Sequence, residues 1–170
     1  MKYILIIFWF AISCTKMRSK ETSIVYREEI QLLVTCFERE LNAQHEHSQV
    51  YTSFADSCIK YNGTLRLTEG IINMFDEFTR SKVYDDIWYT DSMYGRIELR
   101  EESMFMEIVD QMAEENEIMS YGRGLLKETG YFPPSFIVDY FANIREFNME
   151  RPEQKIFYIL LIADSYYRYN

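Results

Sequence analysis

The chain is poor in the residues that punctuate a fold. Six glycines and three prolines in 170 residues leave few sites for tight turns, so helices rather than many short strands are expected. Glycine scarcity also goes with the absence of a phosphate-cradling loop and of a Gly-x-Ser-x-Gly nucleophile elbow. There are two histidines, His45 and His47. Neither sits in a His-Glu-x-x-His metalloprotease motif or in the Glu-x-x-His motif of a di-iron bundle. Cys36, His45, His47 and Cys58 are of zinc-ligand type. However, Cys36 and His45 are nine residues apart, roughly 13 Å along a helix, while zinc needs all its ligands within about 2.0–2.3 Å of one point. Asp91 and Glu102 bound a twelve-residue stretch of calcium-loop length, but Met93, Gly95 and Arg96 fall where two ligands and the turn glycine belong. No metal and no cofactor is expected.

Positive charge is also in short supply. Against 27 acidic residues stand 18 Lys and Arg, a formal charge of −9. Without a basic patch to release counterions from phosphates, a nucleic-acid partner is not expected. A basic protein partner is compatible with this balance, and acidity also serves solubility. Beyond the first fourteen residues no apolar run reaches the length of a membrane span; the greasiest, Ile156 to Ala163, has eight residues and reads as a buried helix.

Apolar residues recur at spacings of three and four. Ile30, Leu33, Val34, Phe37 and Leu41 define one helix, with Thr22 or Ser23 at its start. Ser48 opens a second bearing Val50, Phe54, Cys58 and Tyr61, and Asn62-Gly63 ends it. Thr68-Glu69 opens a third, with Ile71, Ile72, Phe75 and Phe78. A long fourth is expected from Ile97 to Ser120, with Gly122 and Gly124 interrupting before Leu125-Leu126 and Gly130 ending the segment. Pro133-Pro134 and Pro152 each start a further helix, proline being favourable in a first turn. The last of these is apolar on all sides from Ile156 to Ala163 and belongs at the centre. The expectation is all-α: an irregular bundle of five to seven helices forming one domain over residues 23–170.

The N-terminus has a different grammar. Met1-Lys2 is followed by an unbroken apolar run from Tyr3 to Ile12, then Ser13, Cys14 and the polar stretch Thr15 to Lys20. Ten apolar residues cover about 15 Å of helix, half of a hydrocarbon core of roughly 30 Å, which suits an export signal rather than a span. The order of charge, apolar run, small residue and cysteine resembles a bacterial lipoprotein precursor. That resemblance covers Met1–Cys14 and implies cleavage after residue 13, acylation of Cys14 with palmitate-like chains, and a tether over residues 14–22 that includes Lys16, Arg18 and Lys20. Each buried methylene contributes roughly 0.8 kcal/mol, and two or three chains hold essentially permanently. Ala11 stands where this family commonly places Leu, and Ala11-Ile12-Ser13 equally satisfies the small-x-small rule of ordinary secretion. The expected location is the cell envelope, lipid-anchored; free secretion is the alternative.

Export places the remaining cysteines in an oxidising compartment. Cys36 and Cys58 are equidistant in sequence from His47. An antiparallel helical hairpin turning there would bring them to matching heights, making them a candidate disulfide; two unbonded, buried thiols are the alternative. The segment Tyr84 to Gly95 mixes aromatics with acids and holds Trp88. Tyr84, Asp85, Asp86, Trp88, Tyr89 and Asp91 are therefore candidate partner-binding residues, since Trp and Tyr anchor many interfaces and flanking acids select a basic partner. The opposing reading is an aromatic plug over the end of the bundle. Tyr166, Tyr167 and Tyr169 carry the same ambiguity. Glu107, Asp110, Glu114 and Glu117 share a helix face and read as a solvated acidic stripe. No catalytic residue is identified. The favoured expectation is a non-enzymatic interaction module, inhibitor or immunity-like by analogy. A small-molecule-binding protein or a carboxylate-based hydrolase is the alternative.

Overall fold

A computed structural model describes residues 28–42, 49–61 and 65–169. The signal segment, Cys14, the tether, His45, His47 and Asn62-Gly63-Thr64 lie outside the described residues. The fold is an all-α irregular bundle. Its helices are α1 (residues 28–42), α2 (Val50–Lys60), α3 (Glu69–Phe78), α4 (Lys82–Ile87), α5 (Met104–Glu115), α6 (Glu117–Thr129), α7 (Pro134–Ala142) and α8 (Pro152–Tyr169), with a 3-10 turn at Ile144–Glu146. One small hairpin, β1 (Trp88–Thr90) and β2 (Ile97–Leu99), separates α4 from α5. No helix among the described residues is long and apolar enough to cross a membrane.

The local signals explain most boundaries. Thr68 accepts a hydrogen bond from the Ile71 amide at 3.2 Å and so caps α3. Pro134 opens α7 and Pro152 opens α8. Gly130 closes α6 in the left-handed conformation, φ 76°, with its amide on the Leu126 carbonyl. The expected stripe of α1 is buried throughout, with Phe37 fully enclosed. From Phe157 to Ala163 every residue of α8 has no accessible surface, because the other helices pack around it on all sides. Burial of each large apolar side chain there contributes roughly 1.5–3 kcal/mol.

The expected long fourth helix is corrected. Ile97–Leu99 is a strand, and the rest of the segment divides into two helices. Ser103 caps α5 through the Met106 amide. Asn116 then adopts extended backbone, φ −144° and ψ 130°, ending α5 and capping α6 through Oδ1 to the Ile118 and Met119 amides. Two strong capping side chains therefore override a continuous apolar period. Gly122 and Gly124 do not interrupt: both lie inside α6. Gly122 is required by packing, since a Cβ there would fall 2.2 Å from the Phe136 ring on α7.

Aromatic rings fill the core in two groups. Phe37, Phe54, Phe141 and Tyr140 surround Tyr158, with ring centroids 5.4–6.3 Å away. Phe105, Phe132 and Phe136 continue the array past Phe157. At the other end of α8, Phe75, Tyr84, Trp88 and Tyr167 form a second group, on which the hairpin sits.

Candidate functional site

The segment Tyr84–Gly95 folds as the last turns of α4, β1 and the start of a turn. Ser81 caps α4 through the Tyr84 amide. The chain then extends, and β1 pairs antiparallel with β2 in the register Trp88 with Leu99, Tyr89 with Glu98 and Thr90 with Ile97. Asp91 makes the turn: its Oδ1 accepts from the Met93 amide at 2.7 Å and its carbonyl accepts from Gly95 at 2.8 Å. Gly95 sits at φ 64°, where a side chain would be strained. Alternation sends Trp88 and Leu99 inward and Tyr89 outward.

That alternation corrects one candidate. Trp88 is 1% exposed and cannot contact a partner without leaving the core. Its indole Nε1 donates to Asp164 Oδ1 at 2.8 Å. Asp164, 1% exposed, also accepts from Arg168 Nε at 3.0 Å on both oxygens. Arg168 extends the clamp by donating to the Ile97 carbonyl on β2 and, at 3.4 Å, to the Gly130 carbonyl, and its guanidinium lies 5.3 Å from the Tyr131 ring. Burial pushes the Asp164 carboxyl above the ordinary carboxylate range, and the Arg168 and Trp88 contacts oppose that shift without reversing it. Asp164 and Arg168 were missed in the sequence. A lone acid at the end of an all-round apolar helix, with an arginine four residues on, is the signal that marks such a pair.

The other candidates divide by exposure. Tyr84 is half-buried, its ring 5.1 Å from Trp88 and 5.2 Å from Tyr167. Asp85 is exposed, and Asp86 and Asp91 are half-buried, the last committed to the turn. Tyr89 is exposed; its hydroxyl donates to Glu98 at 2.6 Å across the ladder, which raises the phenol pKa. Beyond Asp91, Met93 is 78% and Tyr94 68% exposed. Of six exposed large apolar or aromatic residues among those described, Tyr89, Met93 and Tyr94 thus fall in this one hairpin. In sequence Asp85, Asp86, Glu98, Glu101 and Glu102 flank these residues, while Arg96 lies 5.8 Å from the Tyr94 ring and Arg100 5.2 Å from the Tyr89 ring. Tyr166 and Tyr167 are tied down, their hydroxyls donating to Asp76 and to the Phe75 carbonyl, whereas Tyr169 is 53% exposed.

Cys36 and Cys58, the candidate disulfide, stand as free thiols. Cys58 is buried, and desolvation pushes its thiol up to about 12. Cys36 lines a shallow groove of about 260 Å³ between α1 and α3, with Leu33, Met74 and Phe78. It faces α3, while its neighbour Phe37 takes the core side. Along the acidic stripe Glu107, Glu114 and Glu117 are exposed. The hydrogen bond from Arg123 holds the Asp110 carboxyl below its ordinary range. Asp164, whose carboxyl burial raises, is sealed behind Trp88 and Arg168. Among those residues no group of three or more His, Cys, Asp or Glu is placed to hold a metal ion. Comparison with known protein families, curated proteins and solved structures gives no match.

Proposed function

We propose that the chain is an exported, membrane-tethered acidic module that binds a basic protein partner through the outer face of the β1–β2 hairpin, in the manner of an inhibitor or immunity-like protein. The observation that carries this reading is the concentration of Tyr89, Met93 and Tyr94 on one short hairpin, in a stretch of sequence that also carries Asp85, Asp86, Glu98, Glu101 and Glu102. Exposed apolar groups gathered in one place mark contact surfaces, whereas scattered ones do not. Tyrosine provides large contact area at low entropic cost, and the acids steer a cationic partner and reject an anionic one. The hairpin is also held in place before any encounter by the buried Trp88–Asp164–Arg168 clamp, which reduces the ordering cost of binding. Export and tethering rest on the order of residues in Met1–Cys14.

The test is capture of partners from envelope extract by wild type and by a variant carrying Tyr89→Ser, Met93→Ser and Tyr94→Ser. Wild type is expected to retain one basic, stoichiometric partner that is released by raised salt, and the variant to lose it with an unchanged unfolding midpoint. Equal capture by both removes the hairpin from the binding surface. Palmitate labelling of wild type but not of Cys14→Ser is the expected result for the tether; labelling of neither discards it.

A further inference from the structure

Away from the hairpin, a cleft of about 540 Å³ opens between the C-terminal end of α1, the start of α2, the 3-10 turn and the start of α8. That volume is within the range of small-ligand sites. Its apolar lining comes from Val50, Ile144, Phe147 and Met149. Its polar lining is arranged around Glu38, whose Oε1 accepts from Tyr51 Oη at 2.8 Å and from Lys155 Nζ at 2.5 Å. Both bonds land on one oxygen, so Oε2 keeps its accepting capacity. One turn further along α1, on the same face, Asn42 also lines the cleft, and its Oδ1 is buried with no hydrogen-bond partner among the described residues.

Two other buried side-chain atoms among those residues lack a partner, Gln154 Oε1 and Tyr140 Oη; neither residue is in the described lining of the cleft, though each neighbours one that is. Gln154 Oε1 belongs to a residue 8% exposed and next in the chain to Lys155. Tyr140 Oη belongs to a fully buried ring whose centroid is 4.6 Å from that of Phe147. A buried polar atom without a partner is costly, and Asn42 Oδ1 in the wall of this cleft indicates a site completed by something else. The lining carries two carboxylates, Glu38 and Glu150, and two cations, Arg145 and Lys155. A ligand of either net charge would leave one pair unbalanced, whereas a molecule bearing both charges matches. The orphan Asn42 oxygen and Glu38 Oε2 accept hydrogen bonds, so they suit an ammonium group. Lys155, with two donors left, and Arg145, 80% exposed and only 3.8 Å from Asp56, suit a carboxylate.

We infer that this cleft binds a small zwitterion with an apolar body: a free aliphatic amino acid or a short peptide carrying both termini. The ammonium sits on Asn42 and Glu38, the carboxylate on Lys155 and Arg145, and the side chain on Val50, Ile144, Phe147 and Met149.

The experiment titrates the purified protein with L-leucine and L-leucyl-L-leucine by calorimetry, alongside N-acetyl-L-leucine, which lacks the ammonium, and L-leucinamide, which lacks the carboxylate. At least one zwitterion should bind saturably with Kd below about 1 mM, and each blocked form should bind at least ~10-fold more weakly. Asn42→Leu should bind at least ~10-fold more weakly as well. Because it removes an unsatisfied buried acceptor, this variant should unfold no earlier than wild type in the absence of ligand. No saturable heat with any probe, equal binding of N-acetyl-L-leucine, or full binding by Asn42→Leu each overturns the assignment. Loss of stability in Asn42→Leu without ligand shows instead that the amide is structurally satisfied, and that also overturns it.

Discussion

Two glycines in one helix, two positions apart, should respond oppositely to the same substitution. Gly122 and Gly124 both lie inside α6. Exchange of an exposed helical glycine for alanine stabilises by roughly 0.5–1 kcal/mol, and Gly124 is exposed with nothing within 4 Å of a new Cβ. At Gly122 the same methyl would meet Phe136 Cε2 at 2.2 Å and Cζ at 2.4 Å, where carbon atoms prefer about 3.5–4.0 Å. The ring cannot give way cheaply. It is fully buried, stacked 4.8 Å from Phe132 and 6.3 Å from Tyr140, and Phe132 in turn meets Phe157 on α8. Overpacking typically costs about 1–3 kcal/mol; a 2.2 Å approach to a fully buried ring puts this case at the upper end, about 2–3, of which helix propensity returns roughly 1 at most. Gly124→Ala should therefore raise stability by ~0.5–1 kcal/mol, and Gly122→Ala should lower it by ~1–2 kcal/mol. For a chain of this size each kcal/mol moves Tm by about 2–4 °C. Urea unfolding followed by circular dichroism reads both, with m unchanged if only stability moves. Adding Phe136→Leu to Gly122→Ala should recover part of the loss, a coupling of about 0.5–3 kcal/mol between touching residues. If Gly122→Ala is as stable as wild type, or moves together with Gly124→Ala, α6 and α7 do not approach as described.

Three further outcomes are expected of the buried clamp and the thiols. Arg168→Met leaves the Asp164 carboxylate enclosed without its partner and should cost about 3–5 kcal/mol in urea unfolding, whereas Arg168→Met with Asp164→Leu should cost less than Arg168→Met alone. The Asp164 pKa is raised in the folded state, so the folded protein binds this proton more readily than the unfolded chain. Its contribution is therefore greatest at low pH and declines as pH rises from the ordinary carboxylate pKa through the raised one. The stability of wild type relative to Asp164→Asn, measured across that range, should fall with rising pH; a rise would mean that Arg168 outweighs burial. Alkylation of the native protein should modify half-buried Cys36 well before Cys58, which is 2% exposed with its thiol pushed up to about 12, and Cys58 should react only with denaturant present. A reducible Cys36–Cys58 link in the mass spectrum would contradict the free thiols.

Much of the architecture was legible because it rests on local or periodic signals. The inner stripe of α1, the Thr68 cap, the proline starts of α7 and α8 and the central place of Phe157–Ala163 all arise from spacing and capping chemistry, with Ile156 half-buried at the edge of that run. The expected helix from Ile97 to Ser120 did not form, because Ile97–Leu99 pairs with β1 and Ser103 and Asn116 each offer a side-chain oxygen that caps the start of a new helix, and apolar period alone does not weigh that. The site was half legible. The segment Tyr84–Gly95 stands out in sequence as aromatic and acidic, and three of the six exposed large apolar or aromatic residues among those described fall in it. Which aromatics face water depended on the strand register and on Asp164, 76 positions away from Trp88, and no local pattern reports that partner. The cleft around Asn42 was not legible at all. Its lining is drawn from α1, α2, the 3-10 turn and α8, and no two of those contributions share a sequence motif.

The hairpin assignment can be tested most directly with a matched pair of surface tyrosines. Tyr94 on the hairpin is 68% exposed and Tyr121 on α6 is 57% exposed, so a photo-crosslinking phenylalanine analogue at either position samples solvent to a similar degree. Irradiation in the native cell should yield one discrete adduct with a basic protein from position 94, suppressed by raised salt, and none from position 121. The same adducts from both positions, or none from position 94, would contradict binding through the hairpin.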